Sequence, residues 1–314
     1  MHILVTGGAG FIGSNMCDYL VKKGLNVSVI DDLSSAKISN LSSVIDNINF
    51  YQEKIEIFDF NKLTSVDAVI HLAAQVSVQL SISNFDESSS SNLLGAIKII
   101  DFCRLNKIPL IYASSAALYG NLELCDDSNA NIDLLSPYAS DKYMLEVYSK
   151  TAYKNYQMSS IGLRFFNVYG PRQDPSNSYS GVISIFIKQL LSGNNITING
   201  GYQTRDFIYI GDVVEAIYKS LVLAKKSIIC EQINILTGKA TSIDELATIL
   251  IKKMAVNVEK EYCTLKAGDP KGSLGATNKM ENLLKVELSN LRSIDNGLSE
   301  TIKFIMSESR LSKI

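Results

Sequence analysis

Tyr138 and Lys142 stand four residues apart in "SPYASDK", which puts them on one face of a helix. A tyrosine titrates near pH ~10, too high to serve as a base at neutral pH. An ammonium one turn away favours the phenolate, and lowering the pKa by about three units takes ~4 kcal/mol of differential stabilisation. The same spacing also describes an ordinary pair on a surface helix. Upstream, "SSAALYG" (114–120) ends the apolar run "IPLIYA". Its Ser115 is either a plain strand end running into a turn or a second wall of the same site.

What tips the balance is the opening of the chain. "TGGAGFIG" sets Gly7, Gly10 and Gly13 directly after an apolar run and at the start of a helical pattern. Glycines are needed there for a tight turn, for close approach to a pyrophosphate and for packing helix on strand. The helix N-terminus adds unpaired N–H groups and partial positive charge. Asp31 ends the second run, where a carboxylate hydrogen-bonds an adenosine ribose and repels a 2′-phosphate. No arginine follows in "DDLSSAK", although Lys37 is near, so the expected cofactor is NAD rather than NADP. A bound nicotinamide ring would add a second positive charge beside Tyr138.

These residues need a frame to hold them. Candidate strands are 2–7, 26–31, 48–52, 67–74, 109–115 and 159–167, alternating with helical stretches such as 11–24, closed by Gly24 after two lysines. That alternation reads as α/β: a Rossmann-type, doubly wound parallel sheet covered on both faces. After about residue 169 the pattern loosens into a smaller α/β C-terminal lobe, with strands at 195–200 and 232–238. Ser242 and Glu245 there form a capping-box pattern. The Glu87–Ser91 patch reads as a solvated loop or helix start.

Composition narrows the function classes. The chain of 314 residues is 46% hydrophobic and 20% charged, enough apolar content for a sizeable core. A net charge of −2 points to neither nucleic acid nor an anionic membrane. No apolar run reaches the ~20 residues of a membrane span, and "MHILVTGG" lacks the features of a signal peptide. Five scattered cysteines without a C-x-x-C speak for a reducing cytoplasm and against a disulfide framework or a zinc site. With only His2 and His71, a Ser-His-Asp hydrolase or a histidine-rich metal centre is disfavoured, and His71 reads as structural.

Taken together, "VTGGAGFIGSN", "HLAAQ", "SSAALYG", "SPYASDK", "LRFFNVYGPRQDP" and "QTRDFIYIGDV" resemble the extended short-chain dehydrogenases/reductases, specifically the NAD-dependent UDP-sugar 4-epimerases. The resemblance runs nearly end to end. It implies an NAD-binding domain over 1–168, joined by parts of 206–240, and a discontinuous nucleotide-sugar lobe mainly over 169–314. It makes Gly7, Gly10, Phe11, Ile12 and Gly13 the pyrophosphate loop and Asp31 the ribose ligand, with Leu33 and Ser35 close by. Ala73 and Ala74 would pass along the cofactor, and Asn92 would tie the cofactor loop to the sheet. Phe165 and Val168 would flank the nicotinamide. Tyr138 would be the base, Lys142 its partner and ribose ligand, and Ser115 the hydroxyl that orients the sugar's O4. Asn167, Val182 and Arg205 would hold the diphosphate and uridine, and a homodimer is implied.

Three sites depart from that pattern, the first being "INGGYQTRD", one residue shorter than the usual Gly-Asp-Gly version and so re-aiming the loop before Arg205; Ser273 refines it. Lys54-Ile55 stands where the family often pairs an acidic residue with isoleucine to cap adenine, leaving Ile55 as the contact. "KAGD" places Lys266, with Asp269, where the family has arginine; lysine supplies charge without the planar fork. Ser273 stands where glucose-restricted epimerases place a tyrosine, leaving room for a 2-N-acetyl group.

The implied reaction is transient oxidation at C4 and return of hydride to the other face. Relatives that dehydrate or decarboxylate the 4-keto sugar carry an acid just after the catalytic Ser/Thr. Ala116 and Ala117 occupy those places, so 4-epimerisation is the first reading, on UDP-GlcNAc/UDP-GalNAc, with UDP-Glc/UDP-Gal or uronic acids also open. A 4,6-dehydratase, a decarboxylase and a non-catalytic NAD-sensing protein are the alternatives.

Overall fold

The inner apolar runs of the first half become strands buried from both sides, which is what a parallel sheet demands, while the run at 48–51 takes an edge and stays partly exposed. The computed structural model describes residues 1–174, 181–264 and 272–311. It begins β1 (His2–Thr6), α1 (Phe11–Lys22), β2 (Asn26–Ile30), β3 (Ile48–Tyr51), β4 (Ala68–His71), α2 (Val78–Ser83), α3 (Phe85–Asn106) and β5 (Leu110–Ser115). It continues α4 (Pro137–Tyr156), β6 (Ser160–Phe165), β7 (Asn167–Tyr169), α5 (Val182–Leu191), β8 (Ile196–Asn199), β9 (Thr204–Tyr209) and α6 (Ile210–Lys226). Then come β10 (Cys230–Ile235), β11 (Ala240–Ser242), α7 (Ile243–Met254), β12 (Lys260–Cys263), α8 (Asn278–Leu284) and α9 (Ile294–Leu311).

Among the described residues, seven strands form one parallel sheet in the order β10-β6-β5-β4-β1-β2-β3. The chain winds outward from β1 to β3, then returns to β4 on β1's other side. At such a switch point the loops leaving the two strands diverge and open a crevice at the carboxyl edge. Alternation along β1 divides the core: Ile3 and Val5 join Met16, Leu20, Ile217 and Leu246, while Leu4 joins Ile99, Cys103 and Leu145.

Boundaries differ from the sequence reading where backbone geometry intervenes. The 11–24 helix stops at Lys22, and Gly24 follows in the left-handed region at φ +73°. The run 67–74 is strand only to His71, because the chain then turns across Gly7. The run 159–167 breaks at Phe166. That ring is buried with Tyr119, Cys125 and Leu236, and the Val168 N–H bonds back to the Phe166 carbonyl. Asn167–Tyr169 therefore leaves the main sheet for a second one, β11-β9-β7. Cys230–Ile235 takes the edge of the main sheet beside β6. Glu87–Ser91 lies in the opening turns of α3, and the Ser242 hydroxyl accepts the Glu245 N–H at 3.1 Å at the start of α7.

Candidate active site

The glycine loop is shaped by contacts that no side chain would survive. Gly7 sits at φ +69°, and a Cβ on it would lie 2.6 Å from the Ala73 nitrogen, so the loops leaving β1 and β4 touch here. A Cβ on Gly13 would lie 2.1 Å from the Gly7 carbonyl oxygen. The first intrahelical bond of α1 is from the Ser14 N–H to the Gly10 carbonyl, and no side chain caps this terminus. The N–H groups of Phe11, Ile12 and Gly13 thus lie ahead of the helical ladder, with the positive end of the dipole. Free N–H groups at a helix N-terminus are the kind of arrangement that can hold an anionic group, and glycine at positions 7 and 13 lets the backbone segments that shape it come into contact.

Asp31 is buried and tied into that loop. One carboxylate oxygen accepts the Ala9 N–H and the other the Leu33 N–H, each at 2.9 Å. Burial pushes its pKa up, and these two bonds pull it down. Leu33 takes a left-handed conformation at φ +59° to make its bond. Ser35 is exposed, whereas Ile55 is buried against Gly95 of α3. Ala74 is half-buried beside Ala73.

The second constellation hangs on α4. Ser136 caps the helix by accepting the Ala139 N–H at 3.2 Å, and Pro137 opens its first turn. Tyr138 and Lys142 are both buried, with the Lys142 Nζ 5.9 Å from the centre of the Tyr138 ring. Ser115, at the end of β5, accepts the Ala117 N–H at 3.1 Å and is near enough to the Tyr138 phenol to lower its pKa. The lowered tyrosine pKa expected from the sequence is not found in the protein alone. Burial pushes the phenol up, opposed by the nearby Ser115 hydroxyl. Lys142 donates to the Ala113 carbonyl at 2.9 Å, and desolvation brings its own pKa down to about 8 against the pull of Asp141.

Asn92 ties the loop after β4 to α4 rather than to the sheet: its Oδ1 accepts the Gln75 N–H at 2.8 Å and its amide donates to Asp141 at 3.0 Å. His71 is buried and shares a hydrogen bond with the Thr6 hydroxyl at 2.7 Å. Burial, then Lys142, lowers it to about 3, so it is neutral and structural.

The remaining sequence candidates among the described residues come from β6, β7, β9, α5 and the segment after β12. Phe165 ends β6 directly opposite Ser115, its register partner on β5. Val168 is half-buried on β7, and Asn167 donates to the Asp206 carbonyl at 3.1 Å. Arg205 lies on β9 and donates to the Thr204 carbonyl at 2.9 Å. Val182 is the first residue of α5, and Ser273 is buried. Lys266 and Asp269 lie outside the described residues.

A buried polar chain behind the site was missed from the sequence. Ser114 donates to Glu146 at 2.6 Å, and Arg164 grips both Glu146 oxygens at 2.9 and 2.8 Å. Arg164 also donates to the Tyr119 hydroxyl at 2.8 Å, which in turn donates to Asn234 at 2.7 Å. The available signal was Glu146 itself, a carboxylate one turn beyond Lys142 on the inward face of α4.

The sequence pattern of the NAD dependent epimerase/dehydratase family matches residues 3–235. A putative UDP-glucose 4-epimerase of Methanocaldococcus jannaschii is 38% identical over 271 residues, which cover 85% of this chain and 87% of that one. Among solved structures, the UDP-N-acetylglucosamine 4-epimerase of Methanobrevibacter ruminantium M1, in complex with UDP-N-acetylmuramic acid, superposes with a TM-score of 0.90 at 32% identity, covering 98% of each chain. The UDP-glucuronic acid 4-epimerase of Bacillus cereus, bound to UDP-glucuronic acid and NAD, gives 0.90 at 31%, covering 98% of this chain and 100% of that one.

Proposed function

The chain belongs to the NAD-dependent epimerase/dehydratase family, and from that premise we propose that it inverts C4 of a UDP-hexose, with UDP-GlcNAc and UDP-GalNAc as its preferred pair. The observation that carries this reading is the meeting of Tyr138, Lys142 and Ser115 beside Ala116 and Ala117, which cannot exchange a proton.

The cradle of Gly7, Gly10 and Gly13, with the N–H groups of Phe11, Ile12 and Gly13, fits a pyrophosphate; Asp31 fits an adenosine ribose. When bound there, NAD supplies a hydride acceptor for C4 and a positive charge that favours the Tyr138 phenolate. Ser115 orients the O4 hydroxyl, Tyr138 removes its proton and later returns it, and Lys142 holds charge beside the phenol. Phe165 and Val168 wall the nicotinamide side. Asn167, Val182, Arg205, Lys266 and Asp269 meet the UDP group, and Ser273 leaves space at C2. With no acid after Ser115, nothing at that position acts on C5 or C6, and the 4-keto stage leads back to the 4-hydroxyl.

The enzyme works in the cytoplasm, where Cys17, Cys103, Cys125, Cys230 and Cys263 remain free thiols. It pairs with a second copy through α3 and α4, which leave Leu94, Ile97 and Tyr148 exposed.

The test is incubation with UDP-GlcNAc and with UDP-Glc separately, resolving the products by NMR. Interconversion of GlcNAc and GalNAc forms, lost by ~10²–10⁴-fold in Tyr138→Phe with NAD still bound, is expected. A 4-keto-6-deoxy product would establish the dehydratase reading instead.

A further inference from the structure

The buried chain that starts behind Ser115 does not stop at the sheet. Ser114, Arg164 and Asn234 are direct partners across the adjacent strands β5, β6 and β10. Ser114, Tyr119, Glu146, Arg164 and Asn234 are all almost fully buried, none more than 3% exposed. At its far end Asn234 donates its amide to the carbonyls of Cys125, at 2.9 Å, and Ala276, at 3.2 Å. These two residues are themselves joined: the Cys125 N–H bonds the Leu274 carbonyl and the Ala276 N–H bonds the Cys125 carbonyl, each at 3.0 Å. The Asn234 N–H is held by Asp127 at 2.7 Å, which fixes the side chain's starting point.

A second, independent observation presses the same segment against the sheet. A Cβ on Gly275 would lie 2.7 Å from the Phe166 ring and 2.9 Å from Leu236. At Gly275 the backbone therefore lies too close to Phe166 and Leu236, at the end of the sheet, to admit any side chain. Ser273 is buried within it.

We propose that Asn234 is a positioning residue: it sets the distance between the wall that carries Ser115 and the segment that carries Ser273, and so governs how the sugar is gripped. This rests on the epimerase reading above. Asn234 touches none of the residues assigned to proton transfer. It acts on the binding segment directly through the Ala276 carbonyl and indirectly through the Cys125 carbonyl, which also accepts the Ala276 N–H, and, through Tyr119 and Arg164, on the helix that bears Tyr138. Breaking the amide's two bonds loosens the segment, which is then held by its backbone bonds to Cys125 alone, and leaves Ser115, Tyr138 and Lys142 tied by their own contacts. Substrate binding should suffer and the chemical step should not.

The experiment compares full-length Asn234→Ala, Asn234→Asp and Gly275→Ala with Ser114→Ala, using whichever UDP-hexose the parent protein epimerises. Asn234→Asp keeps an acceptor for Tyr119 but loses the donor. The expected result is a KM raised about tenfold or more in Asn234→Ala, Asn234→Asp and Gly275→Ala, the scale of two lost hydrogen bonds. In these variants kcat should stay within about threefold, the pH profile unchanged and NAD retained, as for loss of uniform binding. Ser114→Ala breaks the chain at its other end and should leave KM where it was. If the Asn234 and Gly275 variants fail to fold, Tyr119→Phe decides, since it removes only one hydroxyl: a raised KM supports the proposal and an unmoved one overturns it. Folded Asn234 variants with unchanged KM, or with kcat reduced instead, overturn it too. A parent protein inactive on every UDP-hexose would overturn the epimerase reading itself, a result separable from all of these.

Discussion

Lys142 donates its ammonium to the Ala113 carbonyl at 2.9 Å, so the cation beside Tyr138 is anchored to the strand that ends in Ser115. Burial lowers its pKa from 10.5 to about 8. Below pH 8 the folded and unfolded chains both carry the proton, and the full cost of burying the charge is present. Between about 8 and 10.5 the unfolded chain binds more proton, so stability rises with pH, by on the order of 3 kcal/mol. Buried thiols and phenols such as Cys17, Cys103 and Tyr112, whose pKa values burial raises, act in the opposite sense in the same window. The check is therefore a difference: the urea-unfolding free energy of the parent minus that of Lys142→Met should rise by about this amount from pH 8 to 10.5.

Gly13→Ala should abolish NAD retention and destabilise the fold. The new methyl meets the backbone at Gly7 and Gly8, which cannot swing aside as a flexible side chain would. A cost of about 3 kcal/mol, the upper end for overpacking, is expected. Nucleotide released on denaturation and the melting temperature report the two effects separately.

Removing one half of the Glu146–Arg164 pair strands a buried charge. Both side chains are almost wholly buried. Glu146→Ala should therefore lose about 3–5 kcal/mol, whereas replacing both by leucine and methionine should lose much less. Denaturant midpoints of the single and double variants check this.

Ser273→Tyr should remove turnover of UDP-GlcNAc while sparing UDP-Glc, because the added ring takes the space assigned to the 2-N-acetyl group. Rates on the two substrates in a variant with an unchanged melting temperature decide it. Equal loss on both would place Ser273 away from C2.

Local signals carried most of the frame. The strand order around β1 and β4 follows from buried runs alternating with helices, and Gly7, Gly13, Tyr138 and Lys142 announce themselves by spacing. What stayed hidden was long-range. The break at Phe166 lies inside a stretch that reads as one strand, and the pocket formed by Tyr119, Cys125 and Leu236 explains it. Asp31 read as a ligand for ribose, yet it also buttresses its own loop through Ala9 and Leu33. The phenol of Tyr138 looked ready to ionise because spacing reveals the nearby cation but not the desolvation that opposes it. The Ser114–Asn234 chain has no local pattern, since its members come from four separate elements and a loop turn.

The contact between Tyr119 and Asn234 joins residues 115 positions apart in the chain. At about 5–20 residues per second, a ribosome takes on the order of ten seconds to travel between them. The glycine cradle, Asp31 and Asn92 have all been made before Tyr119 appears. Asn234 and the carbonyl of Ala276 come last, after every residue assigned to proton transfer. Synthesis thus delivers the parts in a fixed order: the place for the nucleotide cofactor first, the reactive wall next, and the brace that seats the sugar only near the end.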